Sequence, residues 1–405
     1  MKIAMVSEHA SPLAALRGID TGGQNVHVAA LSAALAREGH HVTVYTRRDD
    51  PELPARVRTA DGYTVVHVPA GRAERIPKDE LLQHMGEFAR FLDTTWAEDR
   101  PDIVHAHFWM SGVAGQLAAR HLNLPVVQTF YELGVVERRH RGGDGMSPPE
   151  RLKLETMVAR GATWVAATCT DEVFELMRLG RSRSRISVVP CGVDVDLFTP
   201  DGPRSRRGAP HRIVSVGRFL PRKGFDLAIR ALITVPDTEL VIVGGPPRAE
   251  LARDAEAHRL RRLAGELGVA DRVHLCGAVD RADMPAILRS ADVVACTPWY
   301  ESLCIVPLEA MACGIPVVAS AVGCMLDTVV DDITGRLVPP KRPDLLADAL
   351  NALLRDDFHR QSLGAAGRDR ARSRYSWDRI ASDTLRVYDR VEPAVYLPPQ
   401  ATSAS

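Results

Sequence analysis

Short runs of β-branched apolar residues alternate with helix-length amphipathic segments along almost the whole chain. Apolar runs of this length are typical of parallel strands buried on both faces, and the segments between them have the length of the helices that connect such strands. The sequence therefore predicts an α/β fold with doubly wound parallel sheets. Strands are predicted in two series, at residues 3–7, 42–46, 65–68, 103–107, 126–129, 164–167 and 186–189, then at 213–216, 240–243, 273–275, 293–296 and 317–320.

The two series indicate two domains. The chain has 405 residues, more than the roughly 250–300 at which a single core stops growing. We predict an N-terminal Rossmann-like domain over residues 1–197, a Pro-, Gly-, Ser- and Arg-rich linker over 198–210 and a second Rossmann-like domain over 211–375. Apolar residues at helical spacing predict a helix over 376–391, able to return to the first domain, and 392–405 has the composition of a disordered tail.

The charge balance and the N-terminus restrict the partners and the location of the protein. Lys and Arg together number 51, as do Asp and Glu, so no net charge draws the molecule towards nucleic acid or an anionic membrane. The N-terminus lacks a signal-peptide core, and no apolar run reaches the ~20 residues of a membrane-spanning helix. We expect a cytoplasmic monomer or homodimer without a transmembrane segment.

Seven cysteines occur without any C-x-x-C pairing. We expect them to act as small hydrophobes in a reducing compartment, with neither structural zinc nor a disulfide framework. His105 and His107 lie on the same side of a predicted strand, but no third metal ligand accompanies them, so a packed or hydrogen-bonded pair is favoured. No obligatory metal or other cofactor is expected.

Gly22 and Gly23 form the first of three unusual clusters at the carboxyl ends of predicted strands, where ligands bind to open parallel sheets. They directly precede a predicted helix, so the backbone and the helix N-terminus favour a diphosphate. The alternative is a helix cap at Asp20 or Thr21. The chain lacks the G-x-G-x-x-G and P-loop motifs, which counts against NAD enzymes and P-loop ATPases.

Arg218 and Lys223 form the second cluster, directly after the first strand of the second domain. An arginine fork and a lysine point charge in one cleft bind a diphosphate well. A solvated basic turn is the alternative for this segment taken alone. Opposite a Gly-Gly helix start, the pair predicts a phosphate clamp.

Glu301 and Glu309 form the third cluster, on either side of a helix start near Pro307. Two carboxylates at this spacing suit the hydroxyl groups of a sugar and a ribose, while N–H groups between them face phosphates. Helix-end electrostatics is the alternative for either residue alone.

With these clusters in order, residues 1 to 390 resemble the retaining GT-B glycosyltransferases of family four, whose two Rossmann-like domains face each other across a cleft. The segments GGQNVHV, HAHFWMSG, TPWYES and IVPLEAMACG are similar to those of sucrose-phosphate-synthase-like enzymes and of the mycothiol-pathway glycosyltransferase that acts on inositol phosphate. The resemblance implies a nucleoside-diphosphate sugar, with UDP or GDP, as donor and a small soluble molecule as acceptor.

The resemblance also implies roles for individual residues. Arg218 and Lys223 neutralise the departing diphosphate, and His107 near the cleft is a third catalytic candidate. Glu309 binds the ribose, Glu301 the donor sugar and the main chain at Val279 the base. The implied donor-binding residues are Gly22, Gly23, Arg218, Lys223, Val279, Glu301, Cys304, Ile305, Val306 and Glu309. The implied acceptor residues are His9, Asn25, Lys78 and Arg151, to which we add Tyr131 and Glu132.

The sequence departs from the family pattern around the sugar and acceptor positions. Tyr131 stands where many relatives have His, Cys304 and Cys324 stand where glycines are common, and Phe108 replaces a Tyr of the inositol-phosphate enzyme. Glu132 adds a carboxylate that would repel a phosphate. These residues favour an unusual donor sugar or a cationic acceptor, as in a lincosamide-type pathway.

Two other functions remain open at this point. The first is transfer to a sugar phosphate or an inositol phosphate, as in the two similar groups of enzymes. The second, more distant, is a nucleotide-sugar epimerase of the same two-domain form, which should carry a carboxylate and a His for deprotonation in place of the Gly-Gly and E-x7-E segments.

Overall fold

A computed structural model describes residues 1–16, 22–141 and 148–391. Asp20 and Thr21, the alternative helix caps, and the tail 392–405 lie outside the described residues. The chain forms two sheets flanked by helices, one from each predicted series of strands. The α/β class and the two doubly wound domains are therefore confirmed.

The first sheet has eight strands in the order β3-β4-β2-β1-β5-β6-β7-β8. Its strands are β1 (Lys2–Val6), β2 (His41–Arg47), β3 (Arg56–Arg58), β4 (Thr64–Val68), β5 (Ile103–His107), β6 (Val126–Thr129), β7 (Trp164–Ala167) and β8 (Ile186–Val188). Its helices are α1 (Pro12–Leu16), α2 (Gly23–Arg37), α3 (Met85–Glu98), α4 (Trp109–Leu122), α5 (Gly134–Arg141), α6 (Arg151–Gly161) and α7 (Thr170–Arg178).

The second sheet has six strands in the order β11-β10-β9-β12-β13-β14. They are β9 (His211–Val216), β10 (Thr238–Val243), β11 (Val273–Gly277), β12 (Val293–Cys296), β13 (Val317–Ser320) and β14 (Gly335–Val338). The helices are α8 (Phe225–Ala231), α9 (Ala255–Glu266), α10 (Met284–Arg289), α11 (Ile305–Ala312), α12 (Met325–Thr328), α13 (Pro343–Arg355), α14 (Asp357–Tyr375) and α15 (Trp377–Asp389).

The apolar runs form the central strands because those strands are covered on both faces. β5 and β6 are buried at every residue, as are β10, β12 and β13. Two short edge strands, β3 and β14, were not predicted, because each mixes Arg with apolar residues and lacks a continuous apolar run. β3 pairs antiparallel with β4, whereas the other described strand pairs are parallel.

The predicted C-terminal helix is present as α15, and it packs on the first domain. Trp377, Ile380 and Tyr388 are buried in one core cluster with Val28 and Leu31 of α2. The Trp377 ring meets the His27 ring edge-on at 5.3 Å between centroids. The described part of the chain thus begins in the first domain, builds the second and returns to the first.

The structure differs from the sequence-based prediction for the cysteines in one respect. Cys304 and Cys324 form a disulfide, with Cα atoms 6.0 Å apart, although the absence of C-x-x-C pairing and of an export signal had indicated free thiols. Spacing in sequence does not show this pair, because the fold brings together two turns that follow different strands. The remaining cysteines are free, and four of them are buried, as predicted.

No helix in the described ranges combines the length and the apolarity needed to cross a membrane.

Replacing Trp377 by Ala should remove the main contact between α15 and the first domain. We expect a loss of roughly 3–5 kcal/mol in the free energy of unfolding, the usual cost of truncating a buried Trp. Urea denaturation monitored by circular dichroism measures this free energy of unfolding. Phe358 is 83% exposed, so Phe358→Ala is the matched control, with a change within about 0.5 kcal/mol. Similar losses in the two variants would contradict this role of α15.

Candidate functional site

The carboxyl ends of the two sheets border one cavity of about 500 Å³, lined by residues of both domains. Fourteen of the predicted site residues line it: Gly22, Gly23, Arg218, Lys223, Val279, Glu301, Ile305, Val306, Glu309, His9, Asn25, Lys78, Tyr131 and Glu132. Three others, Cys304, His107 and Arg151, are buried behind the wall. The fold therefore assembles most of the predicted site from segments that are far apart in sequence.

Lys223 and Arg218 stand on the turn that follows β9, on the second-domain wall of the cavity. The turn is a short 3-10 helix, Pro221–Lys223, followed by Gly224 at φ +67°. A Cβ atom at Gly224 would lie 2.0 Å from the carbonyl oxygen of Thr297, so only glycine allows this close approach. The Lys223 ammonium forms an ion pair with the Glu301 carboxylate. The two predicted clusters are thus in direct contact.

Glu309 lies inside α11 and is 4% exposed. Its Oε1 accepts a hydrogen bond from Arg281 Nη1 at 2.7 Å. Burial raises the pKa of the Glu309 carboxyl, and the Arg281 guanidinium opposes this rise. Arg281 was not predicted, because it belongs to no motif and only the fold places the loop after β11 beside α11. Ile305 and Val306 form the first turn of α11, whose N–H groups have no acceptor within the helix.

Gly23, the first residue of α2, is where the two domains touch within the site. A Cβ atom at Gly23 would lie 3.0 Å from Cδ1 of Ile305 and 3.2 Å from Cδ1 of Leu303. Tyr300 adds a second contact across the cleft, because its ring stacks on His140 of α5 with 5.5 Å between centroids. The N-termini of α2 and α11 therefore point into the same cavity from opposite domains.

His9 and Asn25 line the first-domain side of the cavity. Asn25 Nδ2 donates to the carbonyl oxygen of Ser11 at 2.9 Å, and His9 Nδ1 is 2.7 Å from Oε1 of the buried Glu8. Burial alone would raise the pKa of Glu8, but the charge of His9 and hydrogen bonds from His9 and Ser111 hold it below its usual value. Glu8 was not predicted as a site residue, since no motif marks it.

Lys78 lies over the ring of Phe108, with Nζ 3.7 Å from the ring centroid. Burial lowers the pKa of this ammonium, and the Glu132 carboxylate is the main group that opposes the change. Phe108 has φ +82° and ψ 159°, a conformation almost restricted to glycine, and such backbone strain concentrates at functional sites. Lys78 thus faces an aromatic ring and a carboxylate together.

Arg151 does not line the cavity, although it was predicted to contact the acceptor. It is 4% exposed, its Nε donates to Glu155 at 2.7 Å, and it also pairs with Glu137. Its Nη2 donates to the carbonyl oxygen of Glu132 at 3.1 Å. Arg151 therefore supports the backbone of the first-domain wall of the cavity from behind.

His107 does not line the cavity either, although it was predicted to be catalytic. It is completely buried, and its Nδ1 is 2.7 Å from the hydroxyl oxygen of Tyr131. Burial, with His105 and His27 nearby, holds the pKa of His107 well below its usual value, so the ring is neutral. Tyr131 has φ +64° and stands between His107 and the cavity. His107 can orient Tyr131, but Tyr131 separates it from a ligand.

His105 is a hydrogen-bonded residue of the core, as predicted. Its Nδ1 is 2.8 Å from the Tyr388 hydroxyl and its Nε2 is 2.9 Å from Oγ1 of Thr129. Among the described residues no group of three or more His, Cys, Asp or Glu side chains is arranged to hold a metal ion.

The two sheets and the cleft between their carboxyl ends have the arrangement of the GT-B glycosyltransferase fold. In agreement, the family description "Glycosyltransferase Family 4" matches residues 21–197, and "Glycosyl transferases group 1" matches residues 203–370. The two matches meet in the segment that joins the sheets. The chain belongs to the family 4 glycosyltransferases, as the sequence motifs indicated.

Similar proteins support this assignment over the full length. D-inositol 3-phosphate glycosyltransferase of Xylanimonas cellulosilytica is 38% identical over 96% of each chain, and that of Mycobacterium tuberculosis is 36% identical over 96% of this chain and 83% of its own. Sucrose-phosphate synthase of Thermosynechococcus elongatus superposes with a TM-score of 0.86 at 29% identity, covering 96% of this chain and 99% of that one. Anabaena HepE, solved with UDP-glucose, gives 0.72 at 19% identity, covering 96% of this chain and 100% of that one.

Replacing Gly23 by Val should displace the loop that carries Glu301. The added methyl groups would overlap Leu303 and Ile305, so we expect the rate of sugar transfer to fall by at least about tenfold, because small displacements at a reacting centre are costly. Release of the nucleoside diphosphate measures it. Gly86 also lies in a helix, and a Cβ there would meet nothing within 4 Å, so Gly86→Val is the control. Equal rates would contradict a close domain contact at Gly23.

Proposed function

We propose that this protein transfers a sugar from a nucleoside diphosphate to a small polyhydroxylated acceptor, with retention of the anomeric configuration. The observation that carries the proposal is the grouping of Arg218, Lys223 and the first turn of α11 on one wall of the cavity, with Glu301 and Glu309 beside them. This arrangement offers positive charge to a diphosphate and carboxylates to hydroxyl groups.

The donor would lie along the second domain. Its diphosphate would replace the Glu301 carboxylate at Lys223, which frees Glu301 to accept hydrogen bonds from the hydroxyls of the sugar. Glu309 would exchange part of its bond with Arg281 for the ribose hydroxyls, and the main chain at Val279 would face the base. Since each charge has a protein partner before binding, the donor exchanges ion pairs and the site avoids an isolated buried charge.

The transfer step would depend mainly on the leaving group. The bond between the anomeric carbon and the phosphate oxygen breaks while the acceptor oxygen bonds to the same face of the sugar. The acceptor proton passes to the departing diphosphate, which ends as the nucleoside diphosphate. Arg218, Lys223 and the α11 N–H groups would stabilise the charge that develops on this group, usually the largest catalytic contribution. No step of this proposal requires a metal.

For the acceptor, the relatives favour an inositol phosphate or a sugar phosphate. The two inositol-phosphate enzymes are 38% and 36% identical to this chain, and sucrose-phosphate synthase superposes over 96% of it. Lys78 and His9 line the acceptor wall, and Lys78 is a suitable partner for a phosphate group.

A second acceptor class is favoured by Glu132 and Phe108. The Glu132 carboxylate acts on Lys78, so a phosphate would have to displace it or accept its repulsion. The Phe108 ring, in contact with Lys78 and His9, also suits a cation. An amine-bearing acceptor, of the kind a specialised pathway would supply, is therefore the alternative.

Nucleotide binding tests the donor site directly. We expect one of UDP, GDP and ADP to raise the melting temperature of the protein, with UDP the first to try because HepE was solved with UDP-glucose. At a ligand concentration about 100 times Kd the stabilisation is about 2.7 kcal/mol. Lys223→Ala should lose most of the shift relative to its own unliganded form. Lys2 is in an exposed ion pair with Asp99, so Lys2→Ala is the control and should keep it. An unchanged shift in Lys223→Ala would refute the clamp.

A competition between acceptors tests the other end of the cleft. With a nucleotide sugar as donor, we expect inositol 3-phosphate or a hexose 6-phosphate to be glycosylated, and Glu132→Gln to raise kcat/KM for these acceptors by about tenfold, since a repulsive charge is removed. For an amine-bearing acceptor the same substitution should lower kcat/KM. NMR of the product gives the anomeric configuration, and inversion would refute the retaining mechanism. If neither the phosphate-bearing nor the amine-bearing acceptors were glycosylated, the assignment of the first-domain wall as the acceptor site would be refuted.

A further inference from the structure

Cys304 and Cys324 join the two turns that hold the donor side of the cleft. Cys304 is the residue before α11, and Cys324 is the residue before α12. Each is 3% exposed, and neither lines the cavity. Their chain neighbours Leu303, Ile305 and Met325 do line it. The crosslink therefore lies directly behind the wall, and Cys304, predicted as a donor-binding residue, does not line the cavity.

The same two turns are also joined through Glu301. The backbone N–H of Cys324 donates to the carbonyl oxygen of Glu301 at 2.9 Å. Gly323 has φ +50°, and a Cβ there would lie 2.0 Å from that oxygen, so the turn presses on the backbone of Glu301. The side chain of Glu301 is in turn the partner of Lys223. A shift of the crosslink would therefore move Glu301, the proposed sugar contact, and through it the partner of Lys223, the proposed phosphate contact.

The α12 side of the crosslink reaches the first domain. Asp327 in α12 accepts a hydrogen bond from the N–H of Thr170 at 2.6 Å, and Leu303 and Ile305 contact Gly23. Between β12 and α11, residues 297–304 have no helix or strand to hold them. Backbone of this kind is ordered only by the contacts it makes, and a covalent bond to a neighbouring turn removes much of its freedom.

From these contacts we propose that Cys304 and Cys324 are positioning residues for the donor: their disulfide holds Glu301 and the first turn of α11 in the binding geometry, and its reduction weakens donor binding. This inference rests on the proposed function. A dithiol would supply two electrons and two protons, the sulfur–sulfur bond would break to give two thiols, and the dithiol would become a cyclic disulfide. The loop would then be held by noncovalent contacts alone, among them the hydrogen bond from Cys324 to Glu301 and the ion pair between Glu301 and Lys223.

Thermodynamic linkage couples donor binding to the redox state of the disulfide. If the oxidised form binds the donor more tightly than the reduced form, the donor must favour the oxidised form by the same factor. We expect a factor on the order of ten, the scale on which preorganisation of a binding loop acts. The equilibrium between the protein and a dithiol buffer should shift by that factor when the nucleotide sugar is saturating.

The experiment begins with the redox state itself. Alkylation of the unfolded, unreduced protein followed by mass spectrometry should label five of the seven cysteines and leave Cys304 and Cys324 joined. Calorimetry then compares binding of UDP-glucose and UDP to oxidised protein, to dithiol-reduced protein and to the double variant Cys304→Ala, Cys324→Ala. The reduced protein and the double variant should bind UDP-glucose about tenfold more weakly.

The control is Cys313→Ala, which removes a free, buried thiol from the residue that follows the other end of the same helix. It should bind as the oxidised wild type does, and dithiol should weaken it equally. Seven labelled cysteines in the unreduced protein, or equal binding by the oxidised and reduced forms, would overturn the proposal.

Hydrogen exchange separates this inference from the proposed function. Amides in residues 301–306 and 322–325 should exchange faster after reduction, with or without a nucleotide present. If neither form binds a nucleotide sugar, the proposed function fails, and the exchange rates still decide about the crosslink. Faster local exchange with little change elsewhere would support positioning, whereas unchanged exchange would overturn it.

Discussion

The site depends on the return of α15 to the first domain. Without it the two sheets would be joined only through the single connection after β8 and the contacts across the cleft. Trp377 and Tyr388 bury their rings among side chains of the first domain, and Tyr388 bonds to His105 in β5. Because parallel strands all end at the same edge, fixing the orientation of the two sheets also fixes the distance between all the loops that follow their strands.

The charges in the cleft are arranged as exchangeable pairs. Lys223 is bonded to Glu301, and Glu309 to Arg281. A ligand that replaces one member of a pair keeps the other satisfied, so binding avoids most of the cost of desolvating an isolated charge. Such a site selects ligands whose charges match those of the groups that they displace. A nucleotide sugar would meet this condition, because its diphosphate would replace a carboxylate at Lys223 while its sugar hydroxyls bond to the carboxylate that is released.

The first-domain wall of the cavity, the proposed acceptor side, differs in character from the second-domain wall, the proposed donor side. It contains a Tyr and a Phe at positive φ and a Lys whose pKa is lowered by burial, and a neutral buried His lies behind the Tyr. Strained backbone of this kind persists only where the surroundings enforce it. Three of the departures from the family pattern, Tyr131, Glu132 and Phe108, lie here, whereas the other two, Cys304 and Cys324, form the disulfide behind the opposite wall.

The sequence by itself determined the strand series, the two domains, the returning helix and most of the residues that line the second-domain wall of the cavity. It could do so because apolar runs and glycines report on burial and backbone conformation, which are local constraints. Tertiary structure alone decided the partners: Arg281 for Glu309, Tyr131 for His107, Glu137 for Arg151 and Cys324 for Cys304. Each of these pairs joins side chains from different turns or helices, or from neighbouring strand ends, and their distances follow from the packing of sheets and helices, which no motif records.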